Sequence, residues 1–233
     1  MDVKTNSPAT LSAAAIVQSG NHNTATNIQG GSVPAGSLLG VNFNLPGPAA
    51  GSLAGIAQFG DENVAGTVQI ASIGALAGTV QIGDLNEAGT VQTGVAAAAA
   101  ATVQNGNHNK AGTAQTTAIG TTALTIQNGH DNVAATSQTG MGSSSLILQN
   151  ASNSVAGVLQ TGTSHSSAVI QSGDYSFAYV DQSGSSNNSL ILQNGTGGGA
   201  SANIASVKQS GSGQNSLVLQ QGRGNIASVV QSN

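Results

Sequence analysis

Short aliphatic runs recur along the chain, and each ends on a glutamine. Leu146-Ile147-Leu148-Gln149 and Ala168-Val169-Ile170-Gln171 have the length and composition of strands. A polar stretch with glycine and asparagine follows each glutamine. A second short run then leads to a second glutamine. In residues 102–115 the unit reads Gln104, Gly106, Asn109, Ala111 and Gln115, with the two glutamines eleven residues apart.

The rest of the chain consists of copies of this unit and the spacers between them. First glutamines stand at Gln18, Gln58, Gln81, Gln104, Gln127, Gln149, Gln171, Gln193 and Gln220. Second glutamines stand at Gln29, Gln69, Gln92, Gln115, Gln138, Gln160, Gln182, Gln209 and Gln231. The asparagine recurs as Asn23, Asn63, Asn86, Asn109, Asn132, Asn203 and Asn225, with Ser154 and Ser176 in copies six and seven. Copies three to five begin 23 residues apart and copies six to eight 22 apart. In copy eight, leaving out five residues around 196–200 returns Asn203, Ala205 and Gln209 to register. The pattern therefore survives an insertion, as a structural repeat should.

Within one copy the pattern predicts strand, turn, strand, turn. Gly-x-x-Asn is turn chemistry, because glycine and asparagine tolerate left-handed backbone angles. All four prolines (Pro8, Pro34, Pro46, Pro48) fall outside the runs, as a hydrogen-bonded ladder requires. Neither strand buries a face alone, but stacked copies pair each strand with its equivalents above and below. The predicted fold is all-β, a β-solenoid of nine strand-turn-strand repeats with amyloid-like cross-β stacking. At about 4.8 Å per rung the rod would be roughly 43 Å long. Residues 1–11 are expected to be an N-terminal tail. Residues 12–233 should form a single domain, interrupted by a Gly/Pro-rich loop at 30–52.

Alternation assigns the faces. If Gln104 points inward, so do Thr102, Gly106, Asn109, Ala111, Thr113 and Gln115, and stacked amides bond one another along the axis. The column before the first glutamine then faces out. Its members Val103, Ile126, Leu148, Ile170, Leu192 and Leu219 form an apolar stripe suited to lateral contact. The reverse assignment, with the stripe as core and the glutamines outside, is the alternative.

Composition narrows the function. Charged residues are 5% and aromatics 2%, with 33 glycines and no cysteine. Such side chains suit a narrow core of small and amide groups. The net charge of −4 argues against nucleic acid as a partner. No apolar run approaches the ~20 residues of a membrane span. Met1-Asp2-Val3-Lys4 opens no apolar signal segment, so a secreted protein would be represented here by its mature part.

No constellation reads as catalytic, and no metal or other cofactor is expected. His22, His108, His130 and His165 read as surface turn residues, as do Asp61, Glu62, Asp84, Glu87, Asp131 and Asp174. Two charge pairs test the register: Glu87 with Lys110, and Asp181 with Lys208, should each stand one rung apart.

The unit Gln-x-Gly-x-x-Asn-x-Ala-x-x-x-Gln resembles the curlin repeat of bacterial curli fibres. Gln18, Gly20, Asn23, Ala25 and Gln29 match it, as do their equivalents in copies two to five and nine. The family's serine six residues before the first glutamine is matched only by Ser12, Ser52 and Ser143. Copies six to nine carry serine four before instead, at Ser145, Ser167, Ser189 and Ser216. The resemblance implies a secreted structural subunit, not an enzyme, that self-assembles end to end into extracellular functional amyloid of a biofilm matrix, used for adhesion and surface colonisation. It also implies a nucleator subunit, a secretion pore and a chaperone as partners. The alternative class is a monomeric binding solenoid, such as an adhesin stalk or an ice-binding protein. Ice binding favours outward threonine arrays, whereas Thr67, Thr90, Thr113 and Thr136 fall in the inward column, so only reversed faces would display them.

Overall fold

A computed structural model describes residues 2–5, 12–30, 37–38, 41–42, 51–195 and 201–233. Two parallel sheets face each other. First strands of the repeats make a nine-stranded sheet: Ala13–Ser19, Leu53–Phe59, Leu76–Ile82, Ala99–Asn105, Thr122–Asn128, Ser144–Asn150, Ser166–Gln171, Asn188–Asn194 and Asn215–Gln221. The facing sheet holds the second strands, from Thr24–Gln29 to Ile226–Ser232. The chain passes from one sheet to the other at every turn, which makes a β-solenoid of nine strand pairs, numbered here as rungs one to nine.

Register follows the glutamines. Gln104 pairs with Gln81 and Gln127, and Gln115 with Gln92 and Gln138. The insertion in copy eight leaves register intact, with Asp181 opposite Lys208 and Gln182 opposite Gln209. Residues 196–200 themselves lie outside the described residues. Lys110 is opposite Glu87, and its Nζ lies 3.2 Å from the Glu87 carboxylate. Both side chains are exposed, so the pair stabilises by only about 0.2–1 kcal/mol.

The core is narrow, and its content changes along the rod. In rungs six to nine it is aliphatic, with Ile147, Val158, Val169, Val180, Ile191 and Val207 buried together. In rungs two to five the same inward positions hold Thr67, Thr79, Thr90, Thr102, Thr113, Thr125 and Thr136. Their hydroxyls are buried without a hydrogen-bond partner. A buried, unpaired hydroxyl opposes folding by roughly 1–3 kcal/mol. Thr113→Val keeps the shape and removes that group, so it should raise unfolding stability by about 1 kcal/mol, measured by denaturant titration.

Three sequence expectations need correction. Residues 1–11 are not wholly a tail: Asp2–Thr5 pairs in parallel with Thr24–Gln29, giving the second sheet a tenth strand. Within 30–52, Ser37–Leu38 and Val41–Asn42 pair antiparallel, and Ser52 is buried in the rung architecture; most of that loop lies outside the described residues. The turn asparagines do not supply the left-handed backbone angle. The residue before each does, at His22, Glu62, Leu85, His108 and Asp131 with φ of 53–57°. Asparagine is kept for its side chain.

Candidate functional site

Two amide ladders run the length of the rod. In the first sheet Gln18 Nε2 donates to Gln58 Oε1, and the chain continues through Gln81, Gln104, Gln127, Gln149, Gln171 and Gln193 to Gln220, at 2.6–2.9 Å. In the second it runs from Gln29 through Gln69, Gln92, Gln115, Gln138, Gln160, Gln182 and Gln209 to Gln231, at 2.7–2.9 Å. All these glutamines are buried except Gln18 and Gln231, half-buried at the ends. From Gln29 and Gln58 onward each Nε2 also reaches across to the opposite sheet: Gln104 donates to the Glu87 carbonyl and Gln115 to the Ala99 carbonyl, both at 3.1 Å. One side chain thus ties neighbouring rungs together and closes the corner between sheets.

Asparagines form a third ladder at the first turn. Asn23, Asn63, Asn86, Asn109 and Asn132 donate to a backbone carbonyl of the next rung, at 2.6–2.8 Å. Their Oδ1 atoms receive the next asparagine's or serine's N–H, as Asn109 Oδ1 does from Asn132 at 3.2 Å. Asn203 donates to the Gly222 carbonyl at 2.9 Å and accepts from Asn225 at 3.0 Å. Gly106, expected inward, is only partly buried at this turn.

The second turn carries a ladder that the sequence did not announce. Ser143, His165, Asn187 and Gln214 occupy it in successive rungs. His165 N–H bonds Ser143 Oγ at 3.2 Å, the Asn187 N–H points at His165 Nδ1 at 3.4 Å, and Gln214 N–H bonds Asn187 Oδ1 at 3.0 Å. His165, read as a surface residue, is 1% exposed. It takes the place an asparagine takes in the first turn.

The outward faces differ in character. Val103, Ile126, Leu148, Ile170 and Leu192 are half-buried by their axial neighbours, and Leu219 is 60% exposed at the last rung. No charged residue lies on the outer face of the first-strand sheet, whereas Glu87, Lys110, Asp181 and Lys208 lie on the other. That second face has a groove of about 650 Å³ over Gly89, Gly112, Ala135 and Gly157. The Tyr179 ring stands over Gly157, 3.1 Å from where a Cβ would lie. Burial and then the charge of Asp181 push its phenol above the usual value.

The threonines needed for an outward ice-binding array, Thr67, Thr90, Thr113 and Thr136, are buried. Thr93, Thr116, Thr139 and Thr161 make an outward file one residue wide. Among the described residues no three His, Cys, Asp or Glu side chains converge on a point that would hold a metal. No family model matches the chain, and no curated protein matches it.

Proposed function

We propose that the chain is a structural subunit that self-assembles end to end into an extracellular amyloid fibre of curli type, in a biofilm matrix. The observation that carries this reading is the polarity of the ladders. Every glutamine donates toward the C-terminal end and accepts from the N-terminal side. At the N-terminal end Gln29 Oε1 is buried with no donor among the described residues. At the C-terminal end Gln231 Nε2 donates to the Asn215 carbonyl at 3.1 Å and to no ladder glutamine among the described residues. Donor end and acceptor end are complementary, so rung nine of one copy continues into rung one of the next.

Edge exposure supports the same reading. Ile226 and Val230 of the last strand are 77% and 71% exposed, and an open strand edge templates further pairing. The N-terminal edge of the second sheet is covered by the four residues Asp2–Thr5, which growth at that end must displace. Secretion through a dedicated pore, a chaperone and a nucleator subunit belong to the same proposal.

Seeded assembly tests it. Purified chain should show a lag that preformed fibre abolishes, read by sedimentation, and removing residues 2–5 should shorten the unseeded lag. Protein that stays monomeric with seed, with or without residues 2–5, would refute the reading.

A further inference from the structure

We propose that the outer face of the first-strand sheet pairs with the same face of a second copy of this chain, about a twofold axis lying along the strands. This pairing is lateral and independent of end-to-end growth. One outward column, three residues before each first glutamine, changes in size along the rod. In rungs one to four it is small: Ala15, Gly55, Gly78 and Ala101. At Gly55 and Gly78 nothing lies within 4 Å of where a Cβ would be. These residues floor a groove of about 700 Å³ lined also by Leu53 and Leu76 and ending at Leu124.

In rungs six to nine the same column is large, with Leu146, Leu190 and Leu217, broken only by Ala168. The flanks change in the opposite sense. Beside the groove stand the exposed Leu53, Phe59, Leu76 and Ile82, at 42–49%. Beside the ridge the equivalent positions are polar, for example Ser144, Asn150, Asn188 and Asn194. One half of the face is a channel with apolar rims, and the other is an apolar ridge with polar shoulders.

A twofold along the strand direction keeps each position along the strand and reverses the order of rungs. Rung nine then lies over rung one, eight over two and six over four. Leu217 faces Ala15, Leu190 faces Gly55, and Leu146 faces Ala101. Leu124, in rung five, meets its own copy on the axis. Where the column is small on both sides, at Gly78 and Ala168, the larger Val80 and Ile170 stand one position along. Ridge and groove share one axial spacing because the same ladder sets both. The face carries no charge, so two copies meet without burying an unpaired ion. Its extent, about 43 Å by 23 Å or on the order of 1,000 Å², reaches the roughly 800 Å² per partner of a standard stable interface.

Spin-label distances between copies test this, with labels on exposed turn residues beside the face. The chain has no native cysteine, so His130→Cys in rung five and Arg223→Cys in rung nine each place one label. The pairing predicts a distance below about 20 Å between His130→Cys labels and near 40 Å between Arg223→Cys labels, given ~10 Å between sheets and ~4.8 Å per rung. Gly78→Phe fills the groove at an open position and should abolish the short distance while strand content by circular dichroism stays unchanged. Equal distances of about 25 Å at both sites, with rung order kept and strand ends exchanged, would mean parallel pairing and overturn the proposal. Distances of about 43 Å at both would mean end-to-end stacking alone and overturn it too, while leaving the fibre reading standing. A short His130→Cys distance in protein that never elongates would do the reverse.

Discussion

Gly106→Ala is expected to unfold the middle of the rod. Gly106 has φ of +126°, and an added Cβ would sit on the backbone carbonyl of Gly129 in the next rung. The conformational penalty alone is about 1–2 kcal/mol. The collision with backbone forces the turn and its neighbour apart, which breaks the Asn109–Gly129 bond as well. A total loss of roughly 3–5 kcal/mol follows, at the high end for one substitution. Because each rung contacts only its neighbours, the defect should split the rod. Hydrogen exchange should show protection lost first in rungs four and five and kept in rungs seven and eight. Gly112→Ala is the control: it lies in the same rung with nothing within 4 Å of its Cβ position and should leave stability within about 0.5 kcal/mol.

Gln104→Leu should be nearly as severe, for a different reason. Gln104 is 0% exposed, accepts from Gln81 and donates to Gln127 and to the Glu87 carbonyl, all at 2.8–3.1 Å. Leucine has similar bulk but leaves the Gln127 oxygen without its donor and removes one of the acceptors of Gln81. Each stranded buried group costs about 1–3 kcal/mol, so about 3 kcal/mol in total is expected from denaturant titration. Adding Gln127→Leu should cost less than the two single changes together, because neighbours in one network are not additive. Fully additive losses would mean that the ladder contributes nothing beyond each residue's own burial.

Period, strand positions, register and the inward direction of the glutamines were legible because the repeat states each of them nine times. The Glu87–Lys110 neighbourhood was legible for the same reason: once copies align, register is arithmetic. What stayed hidden has physical causes. The left-handed turn residue is His22, Glu62, Leu85 or Tyr175, residue types with nothing in common. Ladder bonds on both sides impose the angle, so no side-chain preference marks it. Asp2–Thr5 carries no glutamine and is four residues long; it pairs because an edge is available, and its own sequence does not call for a strand.

The second-turn ladder did leave a trace. Gln138, Gln149, Gln160, Gln171, Gln182 and Gln193 are each eleven residues apart. In that half of the rod both turns therefore have one length and one shape, with positive-φ glycines Gly140, Gly162, Gly184 and Gly211 two residues after the second glutamine. A period of 11 rather than 22 would have placed His165 in an asparagine's position and inside the structure. The 23-residue copies add one residue at that turn, which is why the half-period is hidden earlier in the chain. The unpartnered threonines were not legible either, since alternation gives the direction of a hydroxyl but not its partner.

End-to-end stacking is tested most directly by electron cryo-microscopy of filaments grown from the purified chain. Nine rungs continued without a gap predict a subunit repeat near 43 Å along the axis, built on a rise of about 4.8 Å. Glutamine density should run unbroken from Gln220 and Gln231 of one copy to Gln18 and Gln29 of the next. Filaments whose strands do not lie across the axis, or whose ladders stop between subunits, would contradict the account.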